Sequence, residues 1–503
     1  MSLASTKSMT DFCACNTERE ERDETEPLYS RCQQSRIECP VYTSIEHPNT
    51  TKEDILTLSA PHTATGRPRA TAHEETPVSN TEELNYNLVT ADSQDQEDSE
   101  GVVSVIHREL VLDKTAESNA LPFVLQSYSA WISRLALDPR KLTHITRDLV
   151  FSQFEGGDES RWIIVLVANI GSRVGSVELV ESRPTHMLSM LQSAVRRQLA
   201  AVKSQLNPKK SMLVKALESA TEAMMVHFYV GPVSEVMVLR HEVAPIFRQL
   251  CPEPLNAPID LPSLLQHPLS CLRYYAHIDI LIGAVGDRPT LFRYGVPIPS
   301  SQLSNPYRPV PVFENDGVIQ WMRGTPNEMI ILFAKMKTMR EDGLTPTTEM
   351  VASIEREIHE LLPFDGSSSE RFLAIMRSIV HECWRQAAYI YLYMAVCRDS
   401  SDTPRVKEAF KRYMRLLNGT QPGRLPDEFL IWTLQLVSPA AQRNHDRDVL
   451  ARRAMGLYTR DRTYIANIWI ALVIKDVWTR AAAEGRPVMW CDIAVSRKQL
   501  LGV

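Results

Sequence analysis

Apolar and polar positions alternate along this chain with a helical period over most of its length. From about residue 117, Phe123, Tyr128, Trp131, Ile132 and Leu135 recur every three or four residues, after an Asn119 and a Pro122 suited to a helix start. The stretch THMLSMLQSAVRRQLAAVKSQL (185–206) carries an apolar stripe through Met187, Leu191, Val195, Leu199 and Val202, with Arg196, Arg197 and Lys203 off it. KSMLVKALESATEAMMVHFYV (210–230) repeats the pattern. The clearest case is 371–397, where Ile375, Ile379, Cys383, Ala387, Tyr391 and Met394 follow at helical spacing and apolar residues extend well round the cylinder. Such a helix belongs inside a bundle. Further helices are predicted over 404–417, 426–437, 440–457 and 463–483.

Strand-like alternation is scarce. Only RWIIVLVANI (161–170) competes, and a buried helix fits it equally well. The Pro-rich stretches 252–268 and 289–311 read as long inter-helix loops, and no fixed-period repeat is visible. The expected fold is all-α: a large multi-helix, helical-repeat-like bundle over 117–503.

Charge divides the chain differently. Residues 1–45 carry 5 Lys/Arg against 8 Asp/Glu, residues 46–105 carry 3 against 12, and the remainder has a net charge of +6. The segment 46–116 is rich in Thr, Ser, Glu and Asp and poor in aromatics, so it cannot bury enough apolar surface to offset the entropy of ordering. It reads as a disordered acidic linker. Ile55, Leu56 and Leu58 beside Glu53 and Asp54 have the acidic–hydrophobic texture of activation segments.

The opening MSLASTKSMTDFCAC lacks the apolar run of a secretory signal. The longest apolar runs, WIIVLVANI (162–170) and YIANIWIALVI (464–474), are too short to span a bilayer. Cys251, Cys271, Cys383, Cys397 and Cys491 are scattered, as expected of reduced, buried thiols rather than a disulfide framework. The expectation is a soluble intracellular protein with no membrane partner.

Catalytic signatures fail one after another. No dinucleotide turn or phosphate loop occurs, and GSRVGS (171–176) has its glycines in the wrong frame and reads as turn chemistry. His241–Glu242 and His381–Glu382 each begin like a zinc-protease helix, but Pro245 and Arg385 stand where the second histidine is needed, which leaves core or surface histidines. A nucleophile elbow is missing too. The chain is read as a non-enzyme.

Four of the nine cysteines lie in DFCACNTEREERDETEPLYSRCQQSRIEC (11–39), at Cys13, Cys15, Cys32 and Cys39. With an acidic head, a polar linker and a long helical body, the chain resembles the fungal binuclear-zinc-cluster transcription regulators. HECWRQAAYIYLYMAVC, DTPRVKEAFKRYMRLL, WMRGTPNEMIILFAKMKTMRED and VWTRAAAEGRPVMWCDIAVSR resemble the fungal-specific transcription factor domain in its basidiomycete style. These are packing patterns, and they speak for fold and ancestry. The resemblance implies a nuclear transcription regulator with protein partners, DNA as a family partner, and homo- or heterodimers.

The family's zinc cluster has six cysteines. Its spacing falls here on Phe12, Cys15, Arg22, Tyr29, Cys32 and Cys39, with Pro27 keeping the loop proline. Cys15, Cys32 and Cys39 are therefore remnant zinc ligands, with Cys13 a substitute. The resemblance puts the two metal-bridging thiolates at Phe12 and Tyr29, where neither side chain can share a thiolate. A tetrahedral site wants four ligands, and the roughly 10–16 kcal/mol that folds such modules depends on them. The interval NTEREE (16–21), where the family carries a basic helix, holds one Arg against three Glu, and carboxylates repel the DNA backbone. Cys13, Cys15, Cys32 and Cys39 could alternatively form a mononuclear site built on C-x-C. Zinc is thus the one cofactor at issue, and residues 1–45 read as a degenerate DNA-binding remnant. Two functions follow: a regulator whose zinc-dependent DNA binding is lost, or a helical interaction protein derived from that family.

Overall fold

The computed structural model describes residues 119–175, 185–296, 318–363, 371–460 and 465–501. Those residues form an all-α, multi-helix domain, as the periodicity predicts, and residues 1–118 lie outside them. Three helices open it: α1 (Ala120–Leu135), α2 (Pro139–Phe154) and α3 (Asp158–Gly175). The run that could have been a strand is the middle of α3, where Ile163 to Ala168 are all buried. The glycines of GSRVGS are not turn residues at their start. Gly171 sits within α3 because α1 crosses it closely, and a Cβ there would fall 2.6 Å from Trp131 Cε3.

Helices α4 (Thr185–Lys203), α5 (Lys210–Val230) and α6 (Val233–Leu250) follow. Met187, Leu191, Val195, Leu199 and Val202 are all buried, so the stripe of α4 is its core face. Its off-stripe cations cross-link neighbours: Arg196 pairs with Glu235 at 2.7 Å and Glu242 at 3.1 Å, and Arg197 pairs with Glu159 at 2.8 Å. α3 packs on both α4 and α5, and α5 lies along α6.

The Pro-rich region after α6 is more ordered than a loop. Ile259–Asp260 (β1) pairs in parallel with Tyr294–Gly295 (β2), and a short helix, α7 (Leu261–Leu265), follows β1 with the Asp260 carboxylate accepting from Ser263 N. Between the strands runs α8 (Ser270–Val285), every residue of which from Cys271 on is buried. Then come α9 (Val318–Arg323), α10 (Asn327–Glu341) and α11 (Thr348–His359), the last capped by Thr347 and burying Val351, Ile354 and Ile358.

α12 (Arg371–Tyr391) continues into a widened π-type turn at Leu392–Val396. It lies against α13 (Pro404–Asn418) and α14 (Arg424–Val437). Cys383, Ala387, Tyr391 and Met394 are buried, whereas Ile375 is 48% exposed, so the first turns of α12 reach the surface. α15 (Asn444–Arg460), α16 (Ile465–Ala483) and α17 (Asp492–Leu501) close the domain. One continuous core runs from Phe123 to Ile493, and Ala136, Leu142 and Val318 make a small satellite core between α2 and α9. Of the five cysteines outside the head, three are buried, Cys397 is half-buried and Cys491 is exposed, all as free thiols. Among the described residues, no helix is long and apolar enough to cross a membrane.

Candidate functional site

Cys13, Cys15, Cys32 and Cys39, with Phe12, Arg22 and Tyr29, lie outside the described residues. Among those described, no group of three or more His, Cys, Asp or Glu side chains is placed to hold a metal. The two His–Glu pairs separate as surface and core. His241 is exposed and its Nδ1 lies 2.7 Å from the Met237 carbonyl, while Glu242 pairs with Arg196. His381 is buried, and burial, then nearby Arg385, pulls its pKa down to about 4.

Several concavities mark the described surface. One of about 590 Å³ is bordered by Thr420, Gln421 and Arg453, but Arg453 is spent on the Leu417, Thr420 and Gln421 carbonyls and on Asp427 at 2.7 Å. A second, an open groove of about 400 Å³ on α12 and α13, is lined by Ile375, Ile379 and Leu416 with Arg371 and Glu382. The third is small, about 80 Å³, and is set apart by its chemistry. It opens between α2, α5, α8 and α9, and it holds two acids, the half-buried Glu218 and the buried Glu222, with no cation among its described lining residues.

Both acids come from α5. Glu218 and Glu222 are one helical turn apart, so they share a face and meet the same cleft. The Tyr128 hydroxyl, from α1, donates to Glu222 Oε2, and Gln153 Nε2, from the end of α2, donates to Glu218 Oε2 at 2.5 Å. Glu222 is only 7% exposed. Burial pushes its pKa up to about 7, the Tyr128 hydrogen bond opposes this, and the charge of Glu218 adds to it. Burial likewise raises Glu218, against the pull of Gln153 and Lys215.

The rest of the lining is mostly hydrocarbon. Leu142, Ile145 and Leu149 come from α2, Met225 from α5, and Val318 and Met322 from α9. α8 adds Ser270, Cys271 and Tyr274 at its N-terminal end, and burial pushes the Cys271 thiol up to about 12, so it stays protonated. The α9 wall is fixed from two sides. Leu137 N and Asp138 N donate to the Met322 and Trp321 carbonyls at 3.3 and 2.7 Å, while Arg377 of α12 donates to the Leu137 carbonyl at 2.7 Å. Gly324 ends α9 with φ +74°, and a Cβ there would fall 2.6 Å from Val380 Cγ1, so both backbone and space require glycine.

Beneath the cleft lies a second polar layer. Arg323 donates to the Tyr229 hydroxyl and, at 3.4 Å, to the Tyr274 hydroxyl, with its guanidinium 5.2 Å from the Tyr229 ring centre. Tyr274 therefore joins the cleft to this layer. Next to it, His277 is buried with neither ring nitrogen hydrogen-bonded, and burial followed by Arg323 pulls its pKa down to about 3. It is a neutral imidazole.

Sequence reasoning missed the Glu218–Glu222 pair. The only signal was two like charges at i and i+4, and with Lys215 one turn before Glu218 it reads equally as a solvated face.

The described residues thus define an all-α, multi-helix domain. The family described as the fungal specific transcription factor domain matches residues 181–501, and the chain belongs to it. The match takes in α4 to α17, while α1, α2 and α3 precede it and pack against its first helices. Neither the curated proteins nor the solved structures compared with the chain match it.

Proposed function

We propose that the protein is a nuclear transcription regulator whose helical body serves effector response, dimerisation or partner contact, and whose N-terminal segment no longer binds DNA through zinc. The family match over 181–501 carries the regulatory part of this reading. The loss of DNA binding rests on the spacing that places Phe12, Arg22 and Tyr29 at three of six ligand positions, and on the acidic NTEREE interval. Those same departures favour a second reading, in which the chain is a helical interaction protein that has left DNA and competes with intact relatives for shared partners.

Zinc content of the purified full-length protein, measured with a duplex DNA shift across a salt series, tests the first reading. Fewer than two zinc ions per chain and no shift that weakens steeply with salt are expected. A stoichiometry of two, with a steep salt dependence, overturns it. Cellular location separates the two readings: the regulator enters the nucleus, and a purely cytoplasmic protein under all conditions is the interaction protein.

A further inference from the structure

We propose that the open groove on α12 and α13 is the contact surface for a second copy of this chain, with the two α12 helices lying antiparallel about a two-fold axis between Met376 and Arg377. The proposal rests on the assignment of dimerisation or partner contact to the helical body, and it names the surface and the partner.

Two large apolar side chains sit in the open one turn apart at the start of α12. Ile375, in the groove, is 48% exposed, and Phe372 beside it is 55% exposed. Ile379 and, from α13, Leu416 continue the apolar surface as half-buried residues. Ala374 and Ser378, four residues apart, also line the groove, and side chains this small let a second helix axis approach closely.

The order of residues along the exposed stripe selects the occupant. Arg371, Ile375, Ser378 and Glu382 follow at i, i+4, i+7 and i+11, so they share one face of α12 over about 16 Å. Turned end for end, that stripe meets itself in register. Arg371 then faces Glu382 of the partner subunit, Ile375 faces the partner's Ser378, and the two-fold repeats each contact. A parallel pairing would instead set arginine against arginine and glutamate against glutamate, which repels. Glu382 can take the second arginine without leaving its own helix. Arg385 Nε at 2.9 Å and Gln386 Nε2 at 2.7 Å hold its oxygens, but a carboxylate offers about four acceptor sites and this side chain is 37% exposed.

The acidic segment of this chain is the rival occupant. Residues 46–105 carry 3 Lys/Arg against 12 Asp/Glu, whereas the groove lining holds one cation and one anion. An acidic segment gains at Arg371 and loses at Glu382, while a second copy gains at both.

The test is analytical ultracentrifugation of the full-length protein over a concentration series. One helix pair lies below the standard interface size, so a monomer–dimer equilibrium with a Kd of roughly 10 µM is expected. Ile375→Asp, at an exposed position, should weaken association at least about tenfold with little change in thermal midpoint. Arg371→Glu and Glu382→Arg should each weaken self-association about tenfold, because each sets like charges together at both ends. Mixing those two variants should restore a dimer, since every facing pair is then opposite in sign. A wild-type protein that stays monomeric up to about 100 µM, as when the acidic segment or a different protein takes the groove, overturns the proposal. So does a dimer that Ile375→Asp and Arg371→Glu leave unchanged, or a mixture of the charge variants that does not associate. The first two variants keep the proposal open to refutation if Glu382→Arg does not fold. Association is read without DNA, zinc or cellular location, so its failure leaves the nuclear regulator in place, and a cytoplasmic protein can still dimerise.

Discussion

Two buried acids in this domain live under opposite conditions. Asp279, on α8, is fully enclosed, and the fold surrounds it with donors: Arg240 Nε at 2.7 Å, the Tyr294 hydroxyl at 2.9 Å and Leu291 N at 3.1 Å. Glu222, nearly as enclosed, receives one tyrosine hydroxyl and has another acid for a neighbour. Burial alone therefore does not set the chemistry of a carboxylate. Compensation does, and the difference separates a structural ion pair from a group that can change charge near neutral pH.

The comparison can be broken most forcefully at Asp279. Arg240→Met leaves that carboxylate buried without its cation, and chemical denaturation should show a loss of about 3–5 kcal/mol. Glu222→Gln should do the reverse. The folded protein holds the Glu222 proton more tightly than the unfolded chain, so the stability linked to it is present below the unfolded pKa of 4.5 and is lost as pH rises through about 7. The glutamine variant escapes that loss. It should be more stable than wild type by roughly 3 kcal/mol at pH 8, and by less than half of that at pH 5.5. Equal stabilities at pH 8 would place Glu222 in the same condition as Asp279.

Gly324→Ala probes the cleft by shape instead of charge. A side chain at φ +74° pressed on Val380 should cost about 1–3 kcal/mol and displace the α9 wall, while leaving the Arg240–Asp279 pair intact. The smallest effect belongs to Glu218→Gln. Removing that charge should move the Glu222 titration midpoint downward, and an unmoved midpoint would show that burial acts alone.

The two regions also differ in how far the sequence discloses them. The stripe of α4 through Leu191, Val195 and Leu199 reports its own burial, because period and neighbours along one helix suffice. α5 was legible for the same reason, from Lys210 to Val230. Gly171 was not, since its meaning depends on Trp131 from a different helix. Neither was the strand pairing of Ile259 with Tyr294, where two residues per strand give no alternation to read. The exposed start of α12 shows the converse failure, for an apolar period says which face is greasy and not how many of its turns find a partner. The cleft belongs to the same class. Tyr128, Glu222, Tyr274 and Met322 are far apart in the chain, and only tertiary packing brings a tyrosine to one acid and withholds an arginine from both.

The central claim is that Glu222 is a buried acid left uncompensated in a cleft. Glutamate carboxyl resonances of carbon-13-labelled protein, followed from pH 5 to 9 with Glu222→Gln as the assignment control, measure this directly. A midpoint near 7 for the signal that vanishes in the variant is the expected result. A midpoint in the ordinary glutamate range, near 4.5, would contradict it.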